Sequence, residues 1–181
     1  SGLIGGEVRG ALWDFKREGI LPFERDSVPL GERAAVHEQT LEQLKGELID
    51  QEKAMEFGGW ILEASDRQNL PTELLASLIF TESSFRKHVS SSVGAIGPAQ
   101  VRPDLWSDFC GGADLYDPEQ NIYCGAQILR HFYERCEDNF DCALSAYNVG
   151  LNGTNKFAAN RYLRKVDLHV RRLTAVSFRG Q

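Results

Sequence analysis

Apolar residues in this chain return every third or fourth position and almost never in strict alternation. The clearest run is Ile122, Ala126, Leu129, Phe132, Tyr133 and Cys136, which a 3.6-residue helix gathers into one stripe. A strand with one face on a core needs a period of two, and no convincing stretch of that kind occurs. The chain is therefore expected to be mainly α-helical. Val36, Leu41, Leu44 and Leu48 predict a helix from about Glu32 to Ile49. Met55, Ile61 and Leu62 predict another from about Glu52 to Arg67, loosened by Gly58-Gly59. Pro71 suits a first helical position before "ELLASLIFTESS". Asp117-Pro118 reads as a cap followed by the first helical residue. A short helix over "DCALSAYN" should stop at Gly150, and a last one should run from about Phe157 to Leu173. Residues 1–30 mix glycine, proline and charge, as in "REGILPFERDSVPLGE", and read as an extended arm. The expected division is an N-terminal extension of arm plus helix, residues 1–50, and a helical domain, residues 51–181.

Hydrophobic residues make up 42% of the 181 residues, enough to build a buried core rather than a disordered chain. No window is long and apolar enough to span a membrane. The start at Ser1-Gly2 reads as a processed or trimmed end. Net charge is −6, but from Lys156 onwards seven Lys+Arg face one Asp. That basic stretch is either a solvated helix face or an attraction for an anionic polymer. The acidic remainder, and the lack of a basic motif interleaved with aromatics, argue against nucleic acid as a partner.

Cysteines stand at 110, 124, 136 and 142, with no CxxC pair and no histidine at zinc-finger spacing. Neither a metal nor another cofactor is expected. Four cysteines this close together suggest two disulfides and an oxidising compartment, against the alternative of four buried thiols in a cytosolic protein. Three connectivities are open, and proximity favours Cys110–Cys124 with Cys136–Cys142.

The stretch "FTESSFRKHVSSSVGAIGPAQ" carries the chemistry. Leu75, Leu78, Ile79 and Glu82 share one helix face, so a carboxyl ends an apolar stripe. Apolar surroundings and the negative end of the helix dipole both disfavour its charged form, and no Lys or Arg precedes it within a turn on that face. Its pKa should rise above the ordinary value, as a general acid requires. A glutamate at a helix end is otherwise a solvated residue. Ser91 and Gln100 follow with hydroxyl and amide groups, and the glycines between them let backbone approach a ligand. Tyr147 and Asn148 add a phenol and a second amide. Such a groove suits a neutral polar polymer.

These stretches resemble the lytic transglycosylase domain of the soluble, goose-type-lysozyme-like superfamily. The first motif is met by Glu82, Ser83, Ser91, Gly94, Ala95, Gly97 and Gln100. The second is met by Asn121, Ile122 and Gly125, and the third by Ala146, Tyr147, Asn148 and Gly150. The fourth is matched loosely by "RYLRKV", with Tyr162 as its tyrosine. The resemblance spans about residues 53–172. Departures are Pro98-Ala99 where the family has Leu-Met, Arg102 where a methionine often follows the glutamine, and Ala158 where many members are acidic. The first two together remove a bulky, sulfur-bearing cleft floor, which Arg102 would line instead.

The resemblance implies a lysozyme-like helical fold and a peptidoglycan substrate, cut at the β-1,4 bond between N-acetylmuramic acid and N-acetylglucosamine. Glu82 would act as general acid and then base, leaving a 1,6-anhydro end. Ser91, Gly97, Gln100, Tyr147, Asn148 and Tyr162 would bind the substrate, with Ser91 and Gln100 also positioning Glu82. The compartment would be that of the cell wall: periplasmic, secreted or virion-associated. Residues 1–50, without counterpart in the motifs, would plug the cleft, pack as a helical addition or dock a partner. A hydrolytic goose-type lysozyme is the alternative, with Asp104, Asp108 or Asp114 holding water. An inactive glycan-binding module is a second. Trp60 and Trp106 read as core, with Trp106 close enough to the glycine-rich loop to stack on a sugar.

Overall fold

The computed structural model describes residues 51–179. The expected arm, the helix from about Glu32 to Ile49 and the whole 1–50 extension lie outside the described residues. Among the described residues six helices follow one another: α1 Gln51–Gln68, α2 Thr72–Ser83, α3 Pro103–Trp106, α4 Pro118–Arg135, α5 Phe140–Val149 and α6 Lys156–Arg179. Extended pairing among the described residues is limited to two isolated bridges, Ser90 with Ile96 and Ile96 with Val101. The mainly helical expectation holds.

α4, α5 and α6 start where a side chain supplies a partner for one of the first free N–H groups, Asp117, Asn139 and Asn155 respectively. Asp117 accepts from the Gln120 N–H at 2.9 Å, ahead of Pro118 in the first turn of α4. Asn139 accepts from the Cys142 N–H at 3.1 Å and begins α5 at Phe140, before the "DCALSAYN" stretch. Pro71 stands one place earlier than expected: it is the residue before α2, with extended backbone (φ −62°, ψ 128°), and Thr72 opens the helix. α1 runs unbroken through Gly58-Gly59. Burial of Phe57, Ile61 and Ala64 outweighs the roughly 1 kcal/mol that each helical glycine costs. Met55, also on this helix, is 55% exposed.

α2 lies at the centre of the core, with Leu74, Leu75, Leu78 and Ile79 fully buried. It packs against α6 on one side and α1 on the other, while α4 packs on α1 and α5, and α5 on α6. Ile122, Ala126 and Leu129 bring the predicted α4 stripe into the same core. Both disulfides follow the pairing that proximity favoured. Cys110–Cys124 ties the α3–α4 connection to α4, and Cys136–Cys142 closes the α4–α5 turn. No helix among the described residues is long and apolar enough to cross a membrane.

Candidate active site

The last turn of α2 carries Glu82 out of the core and into a cleft of about 460 Å³. Directly after it the backbone reverses: Ser84 and Phe85 both adopt left-handed conformations (φ 53° and 56°), and the Ser84 N–H closes the helix on the Phe80 carbonyl at 2.8 Å. The turn buries the Phe85 ring and leaves the carboxyl of Glu82 facing the cleft. Burial pushes that carboxyl up from 4.5 to about 7, because an apolar niche solvates the neutral acid better than the carboxylate. Two groups pull the other way: the Tyr162 hydroxyl, which donates to Glu82 Oε1 at 2.6 Å, and the positive charge of Lys165. Both come from α6, one turn apart.

The glycine-rich segment forms one wall. Ile96 and Val101 exchange backbone hydrogen bonds at 2.9 and 3.0 Å, so "GPAQ" is the turn between them. Gln100 closes it in a left-handed conformation (φ 51°), and its Nε2 donates to the carbonyls of Gly97 at 2.9 Å and Val89 at 3.2 Å. Ser91 closes the neighbouring turn, its Oγ accepting from the Ala95 N–H at 3.1 Å. Asn121, fully buried on α4, holds the segment from behind. Its Oδ1 accepts from the Ala99 N–H at 2.8 Å, and its Nδ2 donates to the carbonyls of Ile96 at 2.9 Å and Leu115 at 3.0 Å. Gly97 has φ 73° and sits so close to Asn121 that any Cβ would overlap the amide, so glycine is required twice over.

Opposite, α5 contributes Tyr147 and Asn148. The Tyr147 hydroxyl donates to the Ala99 carbonyl at 2.7 Å, and burial pushes this phenol well above its ordinary value. Ala99 is fully buried and does not line the cleft. The missing family methionine therefore thins the layer behind the wall rather than the floor. Val101, Arg102, Leu105 and Trp106 complete the surface, Arg102 as the departure from the family pattern suggested. Trp106 is half-buried, held by edge-on contacts with Phe109 and Phe132 at ring separations of 5.3 and 5.4 Å.

Of the residues singled out in the sequence, Glu82, Ser91, Gln100, Tyr147 and Asn148 line one cleft, while Gly97 and Tyr162 stand behind it. The partner bonded to Glu82 is Tyr162. Ser91 and Gln100 direct the polar contacts given above to the loop backbone. Lys165 and the anchoring role of Asn121 were not foreseen. The (i, i+3) spacing of Tyr162 and Lys165 was visible on the last helix, but not which helix that face meets. Asp104, Asp108 and Asp114 do not line the cleft, and Glu82 is the carboxyl among the lining residues. Among the described residues no group of three or more His, Cys, Asp or Glu could hold a metal ion.

A helical domain with one partly buried, protonatable carboxyl facing a cleft of mixed apolar and polar lining has the lysozyme-like fold. The chain belongs to the transglycosylase SLT domain family, whose family model matches residues 59–169. It is 39% identical to the transglycosylase of Enterobacteria phage PRD1 over 102 residues, 56% of this chain and 38% of that protein. It is 32% identical to the membrane-bound lytic murein transglycosylase F of Desulfosudis oleivorans over 100 residues, 52% of this chain and 22% of the relative. The chain thus spans well under half the length of these relatives. Its fold is similar to that of an inactive Glu-to-Gln mutant of the lytic transglycosylase Slt from Pseudomonas aeruginosa, with a TM-score of 0.51 and 19% identity over 90% of this chain and 32% of the other.

Proposed function

We propose that this protein is a peptidoglycan lytic transglycosylase with Glu82 as general acid and then general base. The observation that carries the reading is the carboxyl near pH 7 at the end of α2, facing a cleft lined by no other carboxylate among the described residues. In the first step Glu82 gives its proton to the glycosidic oxygen as the bond from the muramyl anomeric carbon breaks. Positive charge grows on that sugar, and in the absence of a second lining carboxylate the substrate's own N-acetyl oxygen stabilises it. Glu82, now ionised, accepts the Tyr162 hydrogen bond, which steadies the anion. It then takes the proton of the muramyl C6 hydroxyl, whose oxygen closes on the anomeric carbon. Glu82 ends protonated, no water is consumed, and the product is a 1,6-anhydro end.

Ser91, Gln100 and Asn148 face the sugar chain with hydroxyl and amide groups, Gly97 lets the wall close onto Asn121 behind it, and Tyr147 stands against the reacting ring. The two disulfides support a cell-wall compartment, either periplasmic, secreted or virion-associated. For residues 1–50 the roles are a plug over the cleft, a packed helical addition or a docking arm for a partner, and comparing activity, stability and partner capture of the full chain and of a chain lacking them separates the three.

Digestion of purified sacculi followed by mass analysis tests the reaction. Muropeptides one water lighter than reducing ends are expected, and a Glu82→Gln variant should release none. Products bearing only reducing ends would make the protein a hydrolase, and equal release by the variant would remove Glu82 from its role.

A further inference from the structure

Arg102 takes no part in the chemistry proposed above, yet it stands on the cleft wall. It is the cationic side chain among the lining residues and is 41% exposed. It grips Asp104 through two bonds, Nε to Oδ1 at 3.2 Å and Nη2 to Oδ2 at 2.6 Å. Asp104 is 58% exposed and lies outside the cleft lining. A guanidinium carries five N–H donors in a planar fork, and Asp104 engages two of them. An ion pair this open to solvent is weak, so Asp104 orients the fork while leaving it able to bind a second anion. The cation that acts on Glu82 is Lys165. A neutral N-acetyl sugar offers only hydroxyls and amides there, whereas a fork of this geometry is matched by a carboxylate.

We infer that Arg102 is a specificity-determining residue that binds a carboxylate carried on the lactyl substituent of the substrate strand. The carboxylate has two sources: the lactyl group itself once its peptide has been removed, or the peptide attached to it. The inference rests on the glycan-cleaving reading above and deepens it.

Binding is measured in the Glu82→Gln protein, so that no strand is cut, with three probes: chitopentaose, peptide-stripped glycan strands and peptide-bearing strands. Adding Arg102→Gln should weaken binding of carboxylate-bearing strands about fivefold to tenfold and leave chitopentaose within about twofold. Arg102→Lys should recover part of the loss. Asp104→Asn, which releases the fork, should tighten the same strands about twofold to threefold, a gain that a merely structural role for the pair would not produce. Both effects should fade at high salt. A loss on stripped strands points to the lactyl carboxylate, and a loss confined to peptide-bearing strands points to the peptide. An equal loss on all three probes, or none on any, overturns the inference and leaves the proposed reaction standing. Failure of the Glu82→Gln parent to bind any of the three overturns both.

Discussion

The Tyr162 hydroxyl and the Glu82 carboxyl, 80 positions apart in sequence, meet in a 2.6 Å hydrogen bond that joins the end of α2 to α6. The bond stabilises the ionised form of a carboxyl that burial otherwise keeps protonated. Both forms are needed in turn by a group that first gives a proton and then takes one.

Replacing Tyr162 with Phe removes the donor and leaves the desolvation. The carboxyl should then titrate at a higher pH than in the wild type. The alkaline limb of kcat/KM, measured on soluble glycan strands, should move upwards, while kcat falls by about tenfold because the anion loses a charge-assisted bond. An unmoved limb would show that the hydroxyl does not act on Glu82.

Glu82 also links stability to pH. Its folded value is about 7 against 4.5 for an ordinary glutamate. Between those values the folded protein holds a proton that the unfolded chain has released, so the contribution of the carboxyl is full below pH 4.5 and is lost as pH rises through about 7. Glu82→Gln, which never ionises, should therefore be more stable than the wild type at about pH 8, by at most about 3 kcal/mol. The difference should largely vanish near pH 4. Urea unfolding at the two pH values measures it.

Asn121→Ala should cost about 3 kcal/mol in urea unfolding, since it deletes one buried acceptor and two donors and strands the Ala99 N–H and the Ile96 and Leu115 carbonyls. The cleft wall should loosen with it, so activity should fall more steeply with temperature than in the wild type.

The two disulfides should contribute unequally. Cys110–Cys124 spans 14 positions and Cys136–Cys142 spans 6. Loop-closure entropy assigns about 3 kcal/mol to the longer loop and about 2 kcal/mol to the shorter. The paired serine replacement at 110 and 124 should lower Tm more than that at 136 and 142. It should also weaken glycan binding, because the longer bridge holds the segment that follows α3 with its cleft residues Leu105 and Trp106.

Much of the architecture was legible before any coordinates. Periodicity placed Leu75, Leu78, Ile79 and Glu82 on one face, and Asp117-Pro118 announced the start of α4, because capping and amphipathicity act within a few residues of the chain. The same locality explains the small misses. Pro71 has the right φ for either side of a helix boundary, and only packing reveals that Phe57 enters the core while Met55 stays exposed. Gln100 and Ser91 line the cleft, but the backbone groups that hold them belong to turns whose shape no spacing rule predicts.

The sequence by itself determined that a carboxyl would end an apolar helix and that glycines would turn the chain beside it. Tertiary structure alone decided what that carboxyl touches. Tyr162 and Lys165 share a face of α6 on any reading, but whether the face meets α2 depends on how the helices cross, and that is set by side chains filling a common core. The proton affinity of Glu82 follows from that crossing, since burial, a hydroxyl and an ammonium act on it through space and not along the chain.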